Sequence, residues 1–334
     1  MTTTVPFALP PANEATTTPE RRGLARDGVR LLVTDLAKRT QHDAVFRELP
    51  WFLRRGDLLV ANDSATLPAA LLARRAGGAP YPLHLSTHVG GELWIAEPRE
   101  AVVAGDRAML ADGGSATYLA PVDALHDRLW YTTLSIAEPL GAFLARHGAP
   151  IRYKYVPEEL PLGDYQTIFA RVPGSAEMPS AGRPFSPRSL EDLRQAGVAV
   201  ATITLHAGVS SPERHERPYR ERFEVPATTA LAVNATRRRG GRVIAVGTTV
   251  VRALESAVSG GEAIASGGWT DLIVTPERGV TVVDGLLTGF HEPEASHLDL
   301  LRAFCGDGLL ERAYAHAVDG GYLWHEFGDV HLLI

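Results

Sequence analysis

The chain contains few of the features that mark secreted or membrane proteins. Its 334 residues include one cysteine, Cys305, so no disulfide can form within the chain and a reducing compartment is favoured. It has no uninterrupted apolar run of about 18 residues, the length that a membrane-spanning helix requires. The N-terminal sequence lacks a basic start followed by an apolar segment, which argues against a signal peptide. We therefore expect a cytoplasmic protein that does not enter a membrane.

Positive charge is also scarce in this chain. Lysine and arginine total 33 residues against 39 acidic ones, which gives a net charge of −6, and Lys38 and Lys154 are the only lysines. A broad nucleic-acid-binding surface needs clustered positive charge. The composition therefore argues weakly against such a surface, although it is compatible with a local basic patch.

The apolar pattern changes twice along the chain. Strand-like and helix-like segments are mixed up to about residue 60, and they alternate again after residue 150. Between about 64 and 135, short alternating runs are separated by glycine-rich turns, a pattern typical of a small antiparallel barrel. The sequence predicts an α/β domain formed by residues 1–62 and 148–334, interrupted by an inserted β-barrel domain of residues 63–147.

Capping signals locate several of the predicted elements. Ser186 followed by Pro187 predicts a helix that ends at Gly197, with a strand over 198–205 after it. Pro226 predicts the start of a helix that extends to residue 238. The apolar pattern predicts further strands over 29–33, 58–61, 272–274 and 280–283, and helices over 298–304 and 309–318.

The segment 241–257, GRVIAVGTTVVRALESA, is the most informative part of the sequence. It predicts a buried strand, a turn at Gly247, and a helix that starts with Thr248 and Thr249. The first N–H groups of a helix are unpaired and carry partial positive charge, so this turn is a candidate site for a carboxylate or phosphate. The alternative is an ordinary helix start with an exposed ion pair between Arg252 and Glu255.

Histidines mark three further candidate sites. His206 follows the strand predicted over 198–205, at the end where α/β folds place ligands, and imidazole suits proton transfer near neutral pH; a structural role is the alternative. Two other segments, 288–297 and 325–331, each contain two histidines and acidic residues, but neither matches a helical zinc motif. If they met in space they could bind a metal. The four histidines are His291, His297, His325 and His331.

Taken together, these segments resemble the S-adenosylmethionine:tRNA ribosyltransferase-isomerase family of queuosine biosynthesis. Residues 242–257 are nearly identical to that family's RVIAVGTTSVRxLESA motif. The motifs GDLLVxNxT, YQT, PTAG, TLHVG, VDxLxTNFHLP and YGD resemble, in the same order, residues 56–63, 164–167, 179–182, 204–208, 283–293 and 328–329. Seven matches in one order make the resemblance specific, and it extends over most of the chain.

The resemblance implies a large α/β barrel-like domain with a small β-barrel inserted. It also implies that S-adenosylmethionine donates its pentose rather than its methyl group. In that scheme a base removes a proton from the ribose carbon beside the sulfonium, and adenine and methionine leave. An amine on a 7-aminomethyl-7-deazaguanine base in tRNA then receives an epoxycyclopentane. No metal and no cofactor beyond S-adenosylmethionine as substrate is implied.

The resemblance also assigns roles within the matching motifs. The turn at Gly247, Thr248 and Thr249 would hold the methionine carboxylate, and Arg252 would support that charge. His206 is the first candidate for acid–base chemistry. The other catalytic candidates are Asp329, Glu221 and His291, and the other predicted S-adenosylmethionine-binding residues are Gln166, Thr167, Ser180, Ala181, Gly182, Thr288 and Phe290.

Departures from the family pattern leave the acceptor open. Residues 62–70 lack both arginines of the family's NTRVIPAR segment, whereas the acidic residues Glu292, Glu294 and Glu326 appear elsewhere in the matching segments. Less positive charge suits a polynucleotide poorly. One alternative is therefore a divergent paralogue that rearranges or cleaves S-adenosylmethionine, or transfers its pentose to a small molecule. Two others are a metal-dependent hydrolase built on the four histidines and a non-catalytic ligand-binding relative.

Overall fold

The computed structural model describes residues 7–123, 127–209, 219–293 and 295–334. Glu294, one of the acidic residues compared above, lies outside these ranges. Within them the chain forms one large mixed sheet, a closed six-stranded barrel and two short two-stranded sheets, together with six α-helices. The predicted α/β fold with a small antiparallel barrel is confirmed.

The strands are numbered along the chain. They are β1 (Arg30–Asp35), β2 (Thr40–Val45), β3 (Leu58–Asn62), β4 (Ser64–Thr66), β5 (Ala70–Arg74), β6 (Pro80–Gly90), β7 (Leu93–Pro98), β8 (Arg107–Met109), β9 (Ser115–Pro121), β10 (Trp130–Ser135), β11 (Val172–Ser175), β12 (Ala199–Leu205), β13 (Glu221–Val225), β14 (Val243–Val246), β15 (Val258–Ser259), β16 (Glu262–Ala263), β17 (Ser266–Thr270), β18 (Gly285–Gly289) and β19 (Val330–Leu333).

The large sheet places four parallel strands side by side at its centre. Its nine strands have the order β17-β13-β12-β3-β14-β18-β19-β1-β2, and β12, β3, β14 and β18 run in the same direction. Their last residues, Leu205, Asn62, Val246 and Gly289, therefore lie along one edge. In open α/β sheets this carboxyl edge is where ligands bind.

Strand alternation divides the apolar residues of this sheet between two cores. Leu58 of β3 lies opposite Val243 of β14, and both side chains belong to one core. The next residues, Leu59 and Ile244, point to the other face and belong to the second core, as the two-residue period of a strand requires. A strand that is buried on both faces in this way reads as a continuous apolar run.

The described residues form six α-helices. The first packs against the barrel through Phe143 and Leu144, and the other five contribute to the two cores of the large sheet. The N-cap of the second is the one predicted, because Ser186 Oγ accepts from the Ser189 N–H at 3.1 Å, and Gly197 ends that helix with a φ of 79°. The helices predicted to start after Pro226, near 298 and near 309 are also present. The helices are α1 (Leu140–His147), α2 (Pro187–Ala196), α3 (Ala227–Arg238), α4 (Thr248–Ser256), α5 (His297–Cys305) and α6 (Asp307–Asp319). None of them, in the described ranges, combines the length and apolar composition needed to cross a lipid bilayer.

The barrel closes in the strand order β10-β7-β6-β5-β8-β9, so all its strands lie between residues 70 and 135. It has its own apolar core, which includes Leu83 and Tyr118. Through β6 it contacts residues just after β12 and just before β13, where Ser86 Oγ accepts from the Val209 N–H at 2.8 Å and bonds the Tyr219 hydroxyl. The domain boundaries given above, 1–62 and 148–334 around 63–147, stay a prediction.

Two predicted strands, over 272–274 and 280–283, are wrong. Neither segment joins a sheet, because backbone groups of both segments are hydrogen-bonded to buried side chains instead. The Leu272 carbonyl accepts from Arg252 Nε at 3.0 Å. The N–H groups of Thr281 and Val282 donate to the Glu255 carboxylate at 2.8 and 2.9 Å. One of the strands that the apolar pattern missed, β18, follows directly and completes the parallel centre of the sheet.

Candidate active site

A cavity of about 360 Å³ opens at the carboxyl edge of the central strands. Its walls include the residues that follow β12, β14 and β18. The volume falls within the range of about 300–1,000 Å³ that is usual for small-molecule sites. Ten of the fifteen predicted site residues line it: Gly247, Thr248, Thr249, Arg252, Ser180, Ala181, Thr288, Phe290, Glu221 and His291.

The start of α4 presents unpaired backbone donors to this cavity. Gly247 has φ 98° and ψ 153°, a conformation that is essentially restricted to glycine, and it turns the chain from β14 directly into the helix. Within the described part of the chain, no protein acceptor is bonded to the N–H groups of Thr248 and Thr249. The Thr249 hydroxyl is held by Asn62 Nδ2 at 3.3 Å. The helix start can therefore bind an anion from inside the cavity.

Replacing Gly247 with alanine is expected to destabilise the fold by about 1–3 kcal/mol, the cost of holding a residue with a Cβ in this backbone conformation. Steric crowding is the smaller cause, because a Cβ at this position would lie 3.5 Å from the Ala181 Cβ, an ordinary contact. Urea denaturation measures the effect. Gly141→Ala in α1 is the matched control, since its Cβ would meet open space at an ordinary φ; equal stability of the two variants would contradict the strain.

Arg252 does not pair with Glu255, so the simple ion-pair alternative is wrong. Its guanidinium forms an ion pair with Glu221, and both side chains are about nine-tenths buried. Its nitrogens also donate to three carbonyls, those of Leu272 at 3.0 Å, Thr270 at 3.3 Å and Tyr219 at 3.4 Å. These contacts join α4 to β13 and β17 beneath the cavity, and they leave Arg252 little donor capacity for a ligand.

Glu221 is similarly committed to the protein. While Oε2 bonds Arg252, Oε1 accepts from the Gly208 N–H at 3.0 Å. This arrangement fixes the backbone that follows β12 and places the carboxylate at the cavity wall. The geometry favours a positioning role for Glu221 over proton transfer.

Of the two histidines predicted to be catalytic, His206 and His291, only His291 lines the cavity. Its Nε2 lies 2.9 Å from the Thr288 hydroxyl in a hydrogen bond, and its ring stacks on that of His297 at 4.6 Å. The Trp324 indole donates to its backbone carbonyl at 3.0 Å. Burial, and to a lesser extent the neighbouring histidines, lower the pKa of His291 well below its usual value. The ring is therefore neutral near pH 7 and retains a lone pair.

The metal-dependent hydrolase alternative required four histidines to converge, and they do not. His331 lies in β19 with its Nε2 2.8 Å from the Thr34 hydroxyl, outside the cavity lining. His325 stacks on Tyr155 at 3.7 Å, whereas His291 and His297 stack on each other. Among the described residues, no group of three or more histidine, cysteine, aspartate or glutamate side chains is placed to hold a metal ion.

His206, the first catalytic candidate, lies outside the cavity lining. Its Nδ1 bonds the Ser64 hydroxyl at 2.8 Å. Its ring covers Gly174 so closely that a Cβ on that glycine would lie 2.5 Å away. Burial, and then the charge of Arg222, lower the pKa of His206. This location favours a structural role in joining β11 to the end of β12.

Asp329 and three predicted binding residues also lie outside the lining. The Asp329 carboxylate accepts from the N–H groups of Arg30 at 2.7 Å and Leu323 at 2.8 Å, so it ties β1 to the segment before β19. Gln166 makes a paired hydrogen bond with the backbone of Thr66. The other two predicted binding residues outside the cavity lining are Thr167 and Gly182, which pack against each other.

The structure adds lining residues that the sequence reasoning missed. Tyr153 and Tyr155 follow no strand or helix pattern, because they lie in an irregular segment before the YQT-like motif. Tyr153 donates a hydrogen bond to Glu177 and Tyr155 donates one to Glu326. Glu326 was visible in the sequence as a departure from the family pattern, and that signal could have marked it as a site residue.

The fold and the cavity define an α/β protein with a candidate small-molecule site at the carboxyl edge of its parallel strands, where a helix start faces the cavity. Comparisons with known proteins identify the family. A family model described as "Queuosine biosynthesis protein" matches residues 2–333, and this chain belongs to that family.

The named relatives match most of the chain. It is 37% identical to the S-adenosylmethionine:tRNA ribosyltransferase-isomerase of Thermus thermophilus, over 98% of each chain. It is 36% identical to the protein of that name from Geobacter metallireducens, over 91% of this chain and 92% of the relative. The crystal structure of S-adenosylmethionine tRNA ribosyltransferase from Thermotoga maritima is similar with a TM-score of 0.57 and 29% identity, over 98% of this chain and 99% of that one.

Proposed function

We propose that this protein is an S-adenosylmethionine:tRNA ribosyltransferase-isomerase. It would transfer the pentose of S-adenosylmethionine to 7-aminomethyl-7-deazaguanine in tRNA and release adenine and methionine. The observation that carries the proposal is the start of α4, with its unpaired N–H groups facing a cavity of suitable volume, in a chain whose relatives bear that name. With tRNA as the acceptor, the enzyme would act in the cytoplasm.

The donor site is assigned from the charges around the cavity. The N–H groups of Thr248 and Thr249 would bind the methionine carboxylate, since a helix start favours an anion both through its donors and through its dipole. Phe290 contributes a buried aromatic surface nearby. Arg252 and Glu221 support this wall from beneath, and their charges cancel each other. The cavity therefore accepts a ligand with one anionic end without leaving an uncompensated buried charge.

His291 is the proposed base for the ribose carbon beside the sulfonium. It lines the cavity, its ring is neutral near pH 7, and its backbone is fixed by Trp324 and Tyr314. A positioned general base typically contributes about 100- to 10,000-fold to rate. Of the four catalytic candidates, His206 and Asp329 lie outside the lining and Glu221 is already bonded to Arg252.

Mass spectrometry of S-adenosylmethionine turnover tests the proposed function. Purified protein is incubated with S-adenosylmethionine, with and without tRNA that carries 7-aminomethyl-7-deazaguanine. We expect adenine and methionine to form only with the tRNA, in an amount equal to the modified base. Release without tRNA would instead support the divergent paralogue, and recovery of intact S-adenosylmethionine in both samples would support the non-catalytic relative.

Removing the carboxylate from the ligand is expected to weaken binding by about 10- to 100-fold. Two backbone N–H groups would lose a charged acceptor. A hydrogen bond to a charged group contributes about 1.5–3 kcal/mol, and the cost of desolvating the carboxylate offsets part of this binding energy. Calorimetry of S-adenosylmethionine against its decarboxylated form measures the difference. S-adenosylhomocysteine, which keeps the carboxylate and lacks the sulfonium, is the control. Equal affinity for S-adenosylmethionine and its decarboxylated form would show that the carboxylate does not bind at the start of α4.

A further inference from the structure

Three stacked rings form one part of the cavity wall. Tyr155 lies between Tyr153, at 5.7 Å and 18°, and His325, at 3.7 Å and 6°, measured between ring centroids and planes. All three residues line the cavity. Burial lowers the pKa of His325 to about 4, so this stack carries no positive charge near pH 7. The stack therefore adds no charge that would repel a cation in the cavity.

Two carboxylates are attached to this stack. Tyr153 donates its hydroxyl hydrogen bond to Glu177, and Tyr155 donates to Glu326. Both glutamates line the cavity. Among the described residues, Tyr155 is the one side chain that donates to Glu326, and a carboxylate can accept about four hydrogen bonds. Glu326 therefore keeps acceptor capacity for a ligand.

A buried hydroxyl without a partner belongs to another residue of the same cavity lining. Tyr165 is 3% exposed and lines the cavity. Its hydroxyl has no hydrogen-bond partner in the described part of the chain. Burial, and then the negative charge of Glu326, raise the pKa of Tyr165 to about 12. Buried polar groups are normally hydrogen-bonded, so this hydroxyl points to a ligand that completes the site.

We propose that Tyr153, Tyr155, Glu177 and Glu326 bind a protonated amine of the acceptor, and that Glu326 removes a proton from that amine before it attacks. This inference rests on the proposed function and specifies its acceptor side. One ammonium N–H bond breaks and one carboxyl O–H bond forms on Glu326. The electron pair left on nitrogen forms the new bond to the ribose-derived carbon. The bonding pair displaced from that carbon moves towards the sulfonium and finally leaves with the sulfur of methionine. An ammonium group fits a site with two carboxylates better than an anion does, because it can donate charge-assisted hydrogen bonds to them.

The charges around Glu326 are consistent with this role. Burial, and then the charge of Glu177, raise its pKa to about 7, although the Tyr155 hydrogen bond opposes the rise. Glu292 adds negative charge near Tyr155. The two arginines of the cavity lining are paired elsewhere, Arg252 with Glu221 and Arg128 with Glu97 at 3.0 Å. A base that titrates near pH 7 is well matched to proton transfer at neutral pH.

Calorimetry with two free bases tests the subsite directly. The probes are 7-aminomethyl-7-deazaguanine and its neutral analogue 7-methyl-7-deazaguanine, both titrated at pH 8 into the full-length protein. We expect the aminomethyl base to bind at least about tenfold tighter, because a charge-assisted hydrogen bond is lost with the analogue. In Glu326→Gln this preference should disappear while the affinity for S-adenosylmethionine is unchanged. Equal binding of the two bases to the wild-type protein would overturn the subsite.

Kinetics separate this inference from the proposed function. The wild-type kcat/KM for the tRNA acceptor should rise with pH up to about 7, as Glu326 becomes ionised, and Glu326→Gln should lose that inflection. Glu177→Gln is the second variant in case the first does not fold, and the exposed Glu159→Gln is the matched control. A Glu326→Gln enzyme with the wild-type rate and pH profile would overturn the subsite and leave the function intact. Tighter binding of the aminomethyl base without any turnover of S-adenosylmethionine would overturn the proposed function and leave the subsite intact.

Discussion

Replacing His291 with alanine is expected to reduce kcat for adenine release by about 100- to 10,000-fold, the contribution of a positioned general base. His291 faces the cavity, and burial keeps its ring neutral at pH 7. The affinity for S-adenosylmethionine should change little, because the proposed carboxylate seat is formed by backbone N–H groups of α4. Single-turnover assays with saturating S-adenosylmethionine and modified tRNA measure the rate, and calorimetry measures the affinity.

His206→Asn is the informative comparison for this variant. It removes the other histidine that the sequence nominated, and its side chain can keep a hydrogen bond to Ser64. Because His206 lies outside the cavity lining, we expect its kcat to stay within about tenfold of the wild-type value, far above that of the His291 variant. A larger loss in His206→Asn than in His291→Ala would reverse the assignment of the base.

Replacing Arg252 with alanine is expected to cost about 3–5 kcal/mol of folding free energy, because it leaves the buried Glu221 carboxylate without its partner. Three backbone carbonyls would lose a donor at the same time. The shift in the midpoint of urea unfolding measures the cost. S-adenosylmethionine affinity should fall only as far as the cavity wall is disturbed, since Arg252 has little donor capacity left for the ligand.

The double variant Arg252→Met, Glu221→Gln checks the cause of this loss. Replacing both members of a buried ion pair removes the uncompensated charge, so much of the stability should return. A stable Arg252→Ala protein that has lost S-adenosylmethionine binding would show instead that Arg252 contacts the ligand. In that case the network with Glu221 would not be the main role of the guanidinium.

Local signals in the sequence were sufficient for the elements that carry the proposed donor site. The turn at Gly247 and the start of α4 were predicted from one segment, because a buried strand, a glycine and a helix start are encoded within a few residues. The boundaries of α2 followed from Ser186 and Gly197 for the same reason. The barrel was predicted from alternation and turns, which are also local. The strand predictions for 272–274 and 280–283 failed because the apolar residues of these segments are buried without joining a sheet.

The sequence by itself therefore determined the fold class, the family resemblance and the start of α4, where the anion site is proposed. Only the tertiary structure decided which side chains meet. It paired Arg252 with Glu221 instead of Glu255, placed His291 inside the cavity and His206 outside it, and brought Tyr155 against Glu326. These partners are far apart in the chain, and their contacts depend on how strands and loops are arranged in space. A pattern that extends over a few residues carries no information about such contacts.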